Sequence, residues 1–206
     1  MTNKAHWEAV YRSKPPHAVS WYRAHLERSL QLVERSCPRK SESIIDVGGG
    51  ESTLVDDLLA REYRNVTVLD LSETALEVAR QRLGADSRAV TWIAGDVLGA
   101  DLPRAGYDLW HDRAVFHFLT APADRAAYVR QVTSSVKAGG HVIVATFGPQ
   151  GPARCSGLDV ARYDPASLQA ELGACFRLLS SSLETHQTPS GGVQQYLYCL
   201  YRIERH

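Results

Sequence analysis

The chain has 206 residues, 44% of them hydrophobic and 22% charged, with 23 basic residues against 23 acidic ones. That length predicts one domain able to bury about 70% of its unfolded surface, and the composition excludes a disordered chain, a collagen-like repeat and a disulfide scaffold. A balanced charge leaves no global field for nucleic acid or anionic lipid, no apolar run reaches the roughly 18 residues of a membrane span, and the polar stretch from Met1 to Tyr11 has no signal-peptide core. The expectation is a cytoplasmic protein, a monomer or weak dimer, with no nucleic-acid or membrane partner. Cys37, Cys155, Cys175 and Cys199 form no paired spacing, so reduced thiols and no metal site are expected.

Ala5 to Arg12 predicts a short amphipathic helix, stopped at Lys14-Pro15-Pro16 because proline lacks an amide donor and restricts its predecessor. Ser20 is placed to cap a second helix from Trp21 to Ser36, with Leu26, Leu30 and Val33 on one face. The apolar run Ser43 to Val47 predicts a strand, followed at once by Gly48-Gly49-Gly50 and a helix from Thr53 to Glu62. Val66 to Leu71 predicts the second strand, and Ser72 caps a helix from Glu73 to Leu83. Val90 to Ala94 and Tyr107 to Asp112 are the third and fourth strands. A helix from Asp124 to Val136 ends at Lys137-Ala138-Gly139-Gly140, and His141 to Thr146 is the fifth strand. A long Gly- and Pro-rich loop follows, from Thr146 to Tyr163. Phe176 to Thr185 and Gln194 to Ile203, joined by Pro189-Ser190-Gly191-Gly192, predict a terminal hairpin. Apolar strands alternating with helices mean a parallel sheet covered on both faces. The fold class expected is therefore α/β: a single-domain three-layer sandwich with a mostly parallel seven-stranded sheet and an antiparallel C-terminal hairpin.

Asp46-Val47-Gly48-Gly49-Gly50-Glu51-Ser52 sits between a predicted strand and a predicted helix. Its glycines permit tight turning and close approach of a ligand. Twenty residues after Gly50, Asp70 ends the second strand, where a carboxylate suits ribose hydroxyls. A dinucleotide loop would place a third glycine where Thr53 stands, and a pyrophosphate would be repelled by Asp46. An acid at position 46 suits instead the ammonium of an amino-acid tail. The charge logic favours S-adenosylmethionine over NAD.

With these residues in place, the chain resembles the class I S-adenosylmethionine-dependent methyltransferases, and within them the small bacterial type near the tellurite and thiopurine methyltransferases. The resemblance covers residues 43–203, with residues 1–40 as a helical lid, and Ser52 departs from the family's last glycine. It implies that Asp46, Gly48, Gly49, Gly50 and Ser52 cradle the methionine part of the cofactor. It puts Asp70 with Leu71 at the ribose, Asp96 with Val97 at the adenine, and His111 beside the methionine part. Trp7, Trp21 and Tyr22 are then lid residues that close over the cofactor. S-adenosylhomocysteine would be the product.

Ligands of open α/β sheets sit outside the carboxyl ends of the strands. His111, Asp112 and Arg113, at the end of the fourth strand, are thus candidates on the catalytic side, His111 as a general base or as a brace of its loop. Cys155 in the long loop is a candidate nucleophile, a soft ligand or a packed thiol. Tyr11, Arg154, Arg162, Tyr163, His186 and Gln194 are candidates for holding the acceptor. The resemblance implies a small-molecule acceptor with a soft sulfur, selenium or tellurium nucleophile. A protein lysine is the alternative. A non-catalytic partner subunit and an NAD-dependent oxidoreductase remain as readings from other classes.

Overall fold

The computed structural model describes residues 4–204, and what the sequence suggests for residues 1–3 and 205–206 lies outside it. Helix α1 (Lys4–Ser13) and a single 3-10 turn precede α2 (Glu27–Ser36). Then come β1 (Ser43–Val47), α3 (Leu54–Ala60), β2 (Asn65–Asp70), α4 (Glu73–Leu83), β3 (Val90–Ala94), β4 (Tyr107–Arg113), α5 (Pro122–Ser135) and β5 (Val136–Phe147). A short ribbon of β6 (Arg154–Cys155) and β7 (Leu158–Asp159), helix α6 (Pro165–Leu172), and the strands β8 (Phe176–Gln187) and β9 (Val193–Ile203) complete the chain.

The main sheet has seven strands in the order β3-β2-β1-β4-β5-β9-β8. The first five run parallel, while β9 pairs antiparallel with both β5 and β8. Alternate side chains of each strand point to opposite faces. Ile44, Val66, Val68, Leu109 and Ile143 pack with Leu30, Val33, Leu54 and Leu58 of α2 and α3. Ile45, Val47, Trp110, Val142 and Val144 pack with Tyr128, Val132 and Leu168 of α5 and α6. The three-layer architecture and the terminal hairpin are those expected. The strand order reverses between β1 and β4, so a crevice opens at their carboxyl ends.

Helix α4 starts as its sequence dictates. Ser72 Oγ accepts a hydrogen bond from the Ala75 amide at 3.2 Å, satisfying one of the free amides of the first turn. Helix α2 does not. It begins at Glu27, six residues after the expected start at Trp21, and Ser20 caps nothing. The carbonyls that a helix there would use internally are bonded elsewhere. The Ser20 carbonyl accepts from His186 Nε2, that of Trp21 from Arg113 Nη1 and that of Arg23 from Thr53 Oγ1. Three tertiary acceptor sites thus replace one helical turn.

Two other segments differ from expectation. Gly139 and Gly140 do not end a helix in a loop; they lie inside β5, where the register with β4 shifts between Tyr107 and Leu109. The long loop after β5 carries the β6–β7 ribbon, and α6 follows it behind a capping box of Asp164 and Ser167. The signal for α6, Asp-Pro-Ala-Ser, stands in the sequence.

Candidate functional site

A cavity of about 380 Å³ fills the crevice at the carboxyl ends of β1, β2 and β4. A smaller one of about 40 Å³ lies beside it, between the glycine loop and residues 16–26. Tyr11, Trp21, Gly48 and Arg113 face both.

The glycine loop is pinned to β2, with the amides of Gly48 and Gly49 donating to the Leu69 carbonyl at 2.7 and 3.3 Å. Gly48 has φ of +66°, and a Cβ built there would lie 2.1 Å from Val115 Cγ2. Gly48→Ala therefore meets both left-handed strain and a clash in the cavity wall. The strain alone is about 1–2 kcal/mol, so thermal melting is expected to fall by about 5 °C; an unchanged midpoint would show that the loop relaxes freely. Gly50, at φ of +47°, has no room for a side chain: its Cβ would be 2.9 Å from Tyr11 Oη and 3.0 Å from Asp70 Oδ2.

Asp70 is buried and accepts from the Ser72 amide at 2.8 Å. Burial pushes its carboxyl up to about 7, and the acids Asp46 and Glu8 add to the rise. Leu71, Asp96 and Val97 line the same end of the large cavity, with Asp96 Oδ1 held by the Leu98 amide at 3.0 Å. Helix α1 closes over this end. The Glu8 carboxylate accepts from the Glu73 amide at 2.9 Å and from Thr74 Oγ1, at the N-terminus of α4. Trp7 packs edge-on against Phe118 and Trp21, with ring centroids 5.1 and 5.9 Å apart.

His111, Asp112 and Arg113 do not converge. Strand alternation turns His111 toward α2 and Asp112 toward α5. His111 is 1% exposed; Nδ1 lies 2.7 Å from Asp46 Oδ1 and Nε2 lies 2.9 Å from Ser29 Oγ. Both ring nitrogens are committed, and the ring meets only the smaller cavity. Asp112 is fully buried and lines neither cavity. It accepts from Tyr128 Oη at 2.6 Å and from the amides of Val115 and Phe116 at 2.8 and 3.1 Å. Arg113 does reach the site. Its Nε donates to Tyr198 Oη at 3.0 Å, Nη1 to the Trp21 carbonyl at 3.1 Å, and its guanidinium lies over the Tyr196 ring at 4.4 Å. Nη2 has no partner among the described residues.

Cys155 lines the large cavity, and burial pushes its thiol above the ordinary range. The other acceptor candidates, Tyr11 apart, line neither cavity. Arg154 bonds to the Gly157 carbonyl and pairs with Asp159, and Arg162 braces the loop at the Pro149 and Gly151 carbonyls. Tyr163 packs on Phe116 in the core. His186 accepts from Arg23 Nε at 3.0 Å and donates to the Ser20 carbonyl at 2.7 Å, fastening the N-terminal segment to the hairpin. Gln194 is buried beside Tyr196. Of the cavity residues that sequence reasoning did not name as site residues, Phe118 and Leu158 lie within segments it singled out, whereas Tyr196 carries no local signal.

Residues 44–140 match the family described as methyltransferase domain. An uncharacterised methyltransferase of Mycobacterium tuberculosis is 28% identical over 116 residues, which are 56% of each chain. The chain thus spans little more than half the length of the curated relatives it matches first. The structure described as converting a disulfide bond into a thioacetal group in echinomycin biosynthesis superposes with a TM-score of 0.76 at 17% identity, covering 98% of this chain and 93% of that one. The 1,6-didemethyltoxoflavin N1-methyltransferase of Burkholderia thailandensis, solved with bound 1,6-didemethyltoxoflavin and S-adenosylhomocysteine, gives 0.70 at 21% identity, covering 88% of this chain and 79% of that one. From β1 through the glycine loop and β4 into the first residues of β5 the chain matches the methyltransferase domain, and over 88% of its length it shares the Rossmann-like fold of a solved methyltransferase.

Proposed function

We propose that this protein is an S-adenosylmethionine-dependent methyltransferase acting on a small molecule with a soft nucleophilic atom. The observation that carries this reading is one continuous cavity with two unlike ends. Asp70 and Asp96 stand at one end as acceptors for a nucleoside. Arg113, Cys155 and Tyr196 stand at the other, and Trp7 and Trp21 roof the space between. The residues fit the cofactor: the loop leaves no room for a Cβ at Gly50, and nearby the Glu51 carboxylate and the Nη2 of Arg113 have no hydrogen-bond partner among the described residues.

When bound, S-adenosylmethionine supplies a methyl group already activated on a sulfonium. The chain's part is to align the acceptor and exclude water. The aromatic roof excludes water, and Cys155 and Tyr196 shape the acceptor end. His111 holds Asp46 and needs no part in proton transfer. A soft nucleophile is reactive without a general base.

The Arg113 guanidinium disfavours a lysine ammonium at the acceptor end by like charge, which sets the lysine reading second. Thr53 in place of a third glycine, with Asp46 beneath the loop, disfavours NAD. Calorimetric titration with S-adenosylhomocysteine and NADH tests the cofactor. Micromolar binding of the first and none of the second is expected; the reverse would make this an oxidoreductase. A screen of thiols, selenols, tellurite and lysine peptides with labelled cofactor then tests the acceptor, and labelling of lysine peptides alone would overturn the small-molecule reading.

A further inference from the structure

Residues 19–25 form a strap between α1 and α2. Val19, Trp21, Tyr22 and Arg23 wall the smaller cavity, and Trp21 also reaches the large one. His186, buried on β8, holds this strap at two points. Its Nε2 lies 2.7 Å from the Ser20 carbonyl oxygen, and its Nδ1 lies 3.0 Å from Arg23 Nε. A carbonyl only accepts and a guanidinium only donates, so Nε2 carries the proton and Nδ1 keeps a bare lone pair. The two bonds together admit only the neutral ring. A second proton would sit on Nδ1, against the Arg23 N–H, and would set two cations 3.0 Å apart. The groups around the ring do not offset this. Arg113 of β4 adds a third positive charge. Tyr196 of β9 packs edge-on at 5.9 Å, its phenol kept protonated by burial. Glu184 of β8 is an acid, but it pairs with Arg23 Nη2 at 3.7 Å.

We propose that His186 is a positioning residue of the site: neutral, it fixes the strap and so sets Trp21 over the cavity, and on protonation it lets the strap go. What the cavity holds rests on the methyltransferase reading above; the clamp itself does not. Burial, Arg113 and Arg23 keep the imidazole below its ordinary value while the strap is held. Released into water, the ring returns to about 6.5. The released form therefore takes up the extra proton, and the clamp weakens as pH falls below about 6.5.

Hydrogen exchange of the full chain without ligand, read by mass spectrometry and corrected for the intrinsic rate at each pH, tests the clamp. The Tyr22 amide, which donates to the Val19 carbonyl at 3.1 Å, is the reporter. Protection of residues 19–25 is expected to fall threefold or more between pH 7.5 and 5.5. His186→Gln offers one donor and one acceptor at a spacing like that of the ring nitrogens and does not titrate. It should keep native protection within twofold at pH 7.5 and stay flat to pH 5.5. His186→Ala should lose protection tenfold at pH 7.5 and bind S-adenosylhomocysteine at least threefold more weakly by calorimetry, with glutamine restoring both. A flat native profile overturns the proposal, and so does an equal fall in His186→Gln, since another group would then be titrating. A loosened strap with unchanged ligand affinity in His186→Ala overturns the positioning role. Thermal melts serve as the folding control; should the alanine variant not fold, the native and glutamine proteins decide the matter by themselves. If the native protein binds no S-adenosylhomocysteine, the methyltransferase reading fails, while the exchange comparison, which needs no ligand, still decides the clamp.

Discussion

Asp112→Ala is expected to lower stability by about 3–5 kcal/mol. The carboxylate is fully buried and answers three donors: Tyr128 Oη at 2.6 Å, the Val115 amide at 2.8 Å and the Phe116 amide at 3.1 Å. Alanine leaves all three without an acceptor, away from water. The damage would spread, because Tyr128 Oη also accepts from Trp110 Nε1 at 3.0 Å. Both rings belong to the core between the sheet and α5. For a chain of this length the loss is equivalent to about 10 °C in melting temperature. Chemical denaturation should show a lower midpoint at constant slope. Asn retains one acceptor oxygen and should lose less. Ala114, Val115 and Phe118, in the segment that Asp112 holds, line the large cavity, so nucleoside affinity should fall together with stability. A shift below 2 °C would mean that the loop finds other acceptors.

Asp70→Asn is expected to act in opposite directions on stability and on binding. Burial pushes the native carboxyl up to about 7, above its unfolded value near 4. Between those limits the folded state binds more protons than the unfolded state, so this group's contribution falls as pH rises through the window. At pH 8 the charged, buried carboxylate opposes folding by about 2–4 kcal/mol at about 1.4 kcal/mol per unit. Asparagine removes that charge. The variant should therefore melt above the native protein at pH 8, with the difference shrinking toward pH 5. The difference between the two proteins is the quantity to read. Buried neutral histidines contribute with the other sign below pH 6.5: His117 is pushed down to about 3 by burial and by Arg113, and His186 is lowered by burial. The same substitution should cost S-adenosylhomocysteine affinity 100-fold or more, since a charged acceptor for ribose hydroxyls becomes a neutral amide. A variant that is less stable at pH 8, or that binds as tightly as the native protein, would sink this account of Asp70.

A site that is stabilised by its own removal is a common sign of function. Glu51 shows the same pattern as Asp70 from the other side of the loop, and burial raises both acids to about 7. The two lie under Tyr11 of α1, whose hydroxyl approaches Gly50. The N-terminal segment therefore covers two buried carboxylates, Asp70 held by the Ser72 amide and Glu51 with no hydrogen bond among the described residues.

Much of this was legible in local sequence. The strands of the sheet, the Ser72 cap, the glycine loop and the acids at positions 70 and 96 all follow from short-range rules: apolar runs, a hydroxyl before a helix, glycines where φ turns positive. These signals depend on neighbours within a few residues, and a single sequence contains them entire. Phe118 and the Asp164 capping box were equally present and were passed over.

What could not be read there depends on which distant groups meet. Trp21 to Leu26 has a helical pattern, but its carbonyls are taken by Arg113, His186 and Thr53, which arrive from β4, the hairpin and the glycine loop. His111, Asp112 and Arg113 are consecutive, yet strand alternation sends the middle one into the core and leaves Arg113 alone at the large cavity. His111 is suited by type to be a base, and it is Asp46 and Ser29, 65 and 82 residues away, that occupy both its nitrogens. Glu51 reads as an ordinary loop residue until the fold buries it with no hydrogen bond to its carboxylate among the described residues. Sequence determined the elements and the placing of Asp70 and Asp96 at the strand ends that line the cavity, because those rest on backbone conformation and local hydrogen bonding. Tertiary structure alone decided which charged groups are satisfied and which are left open, because that balance is struck between segments far apart in the chain.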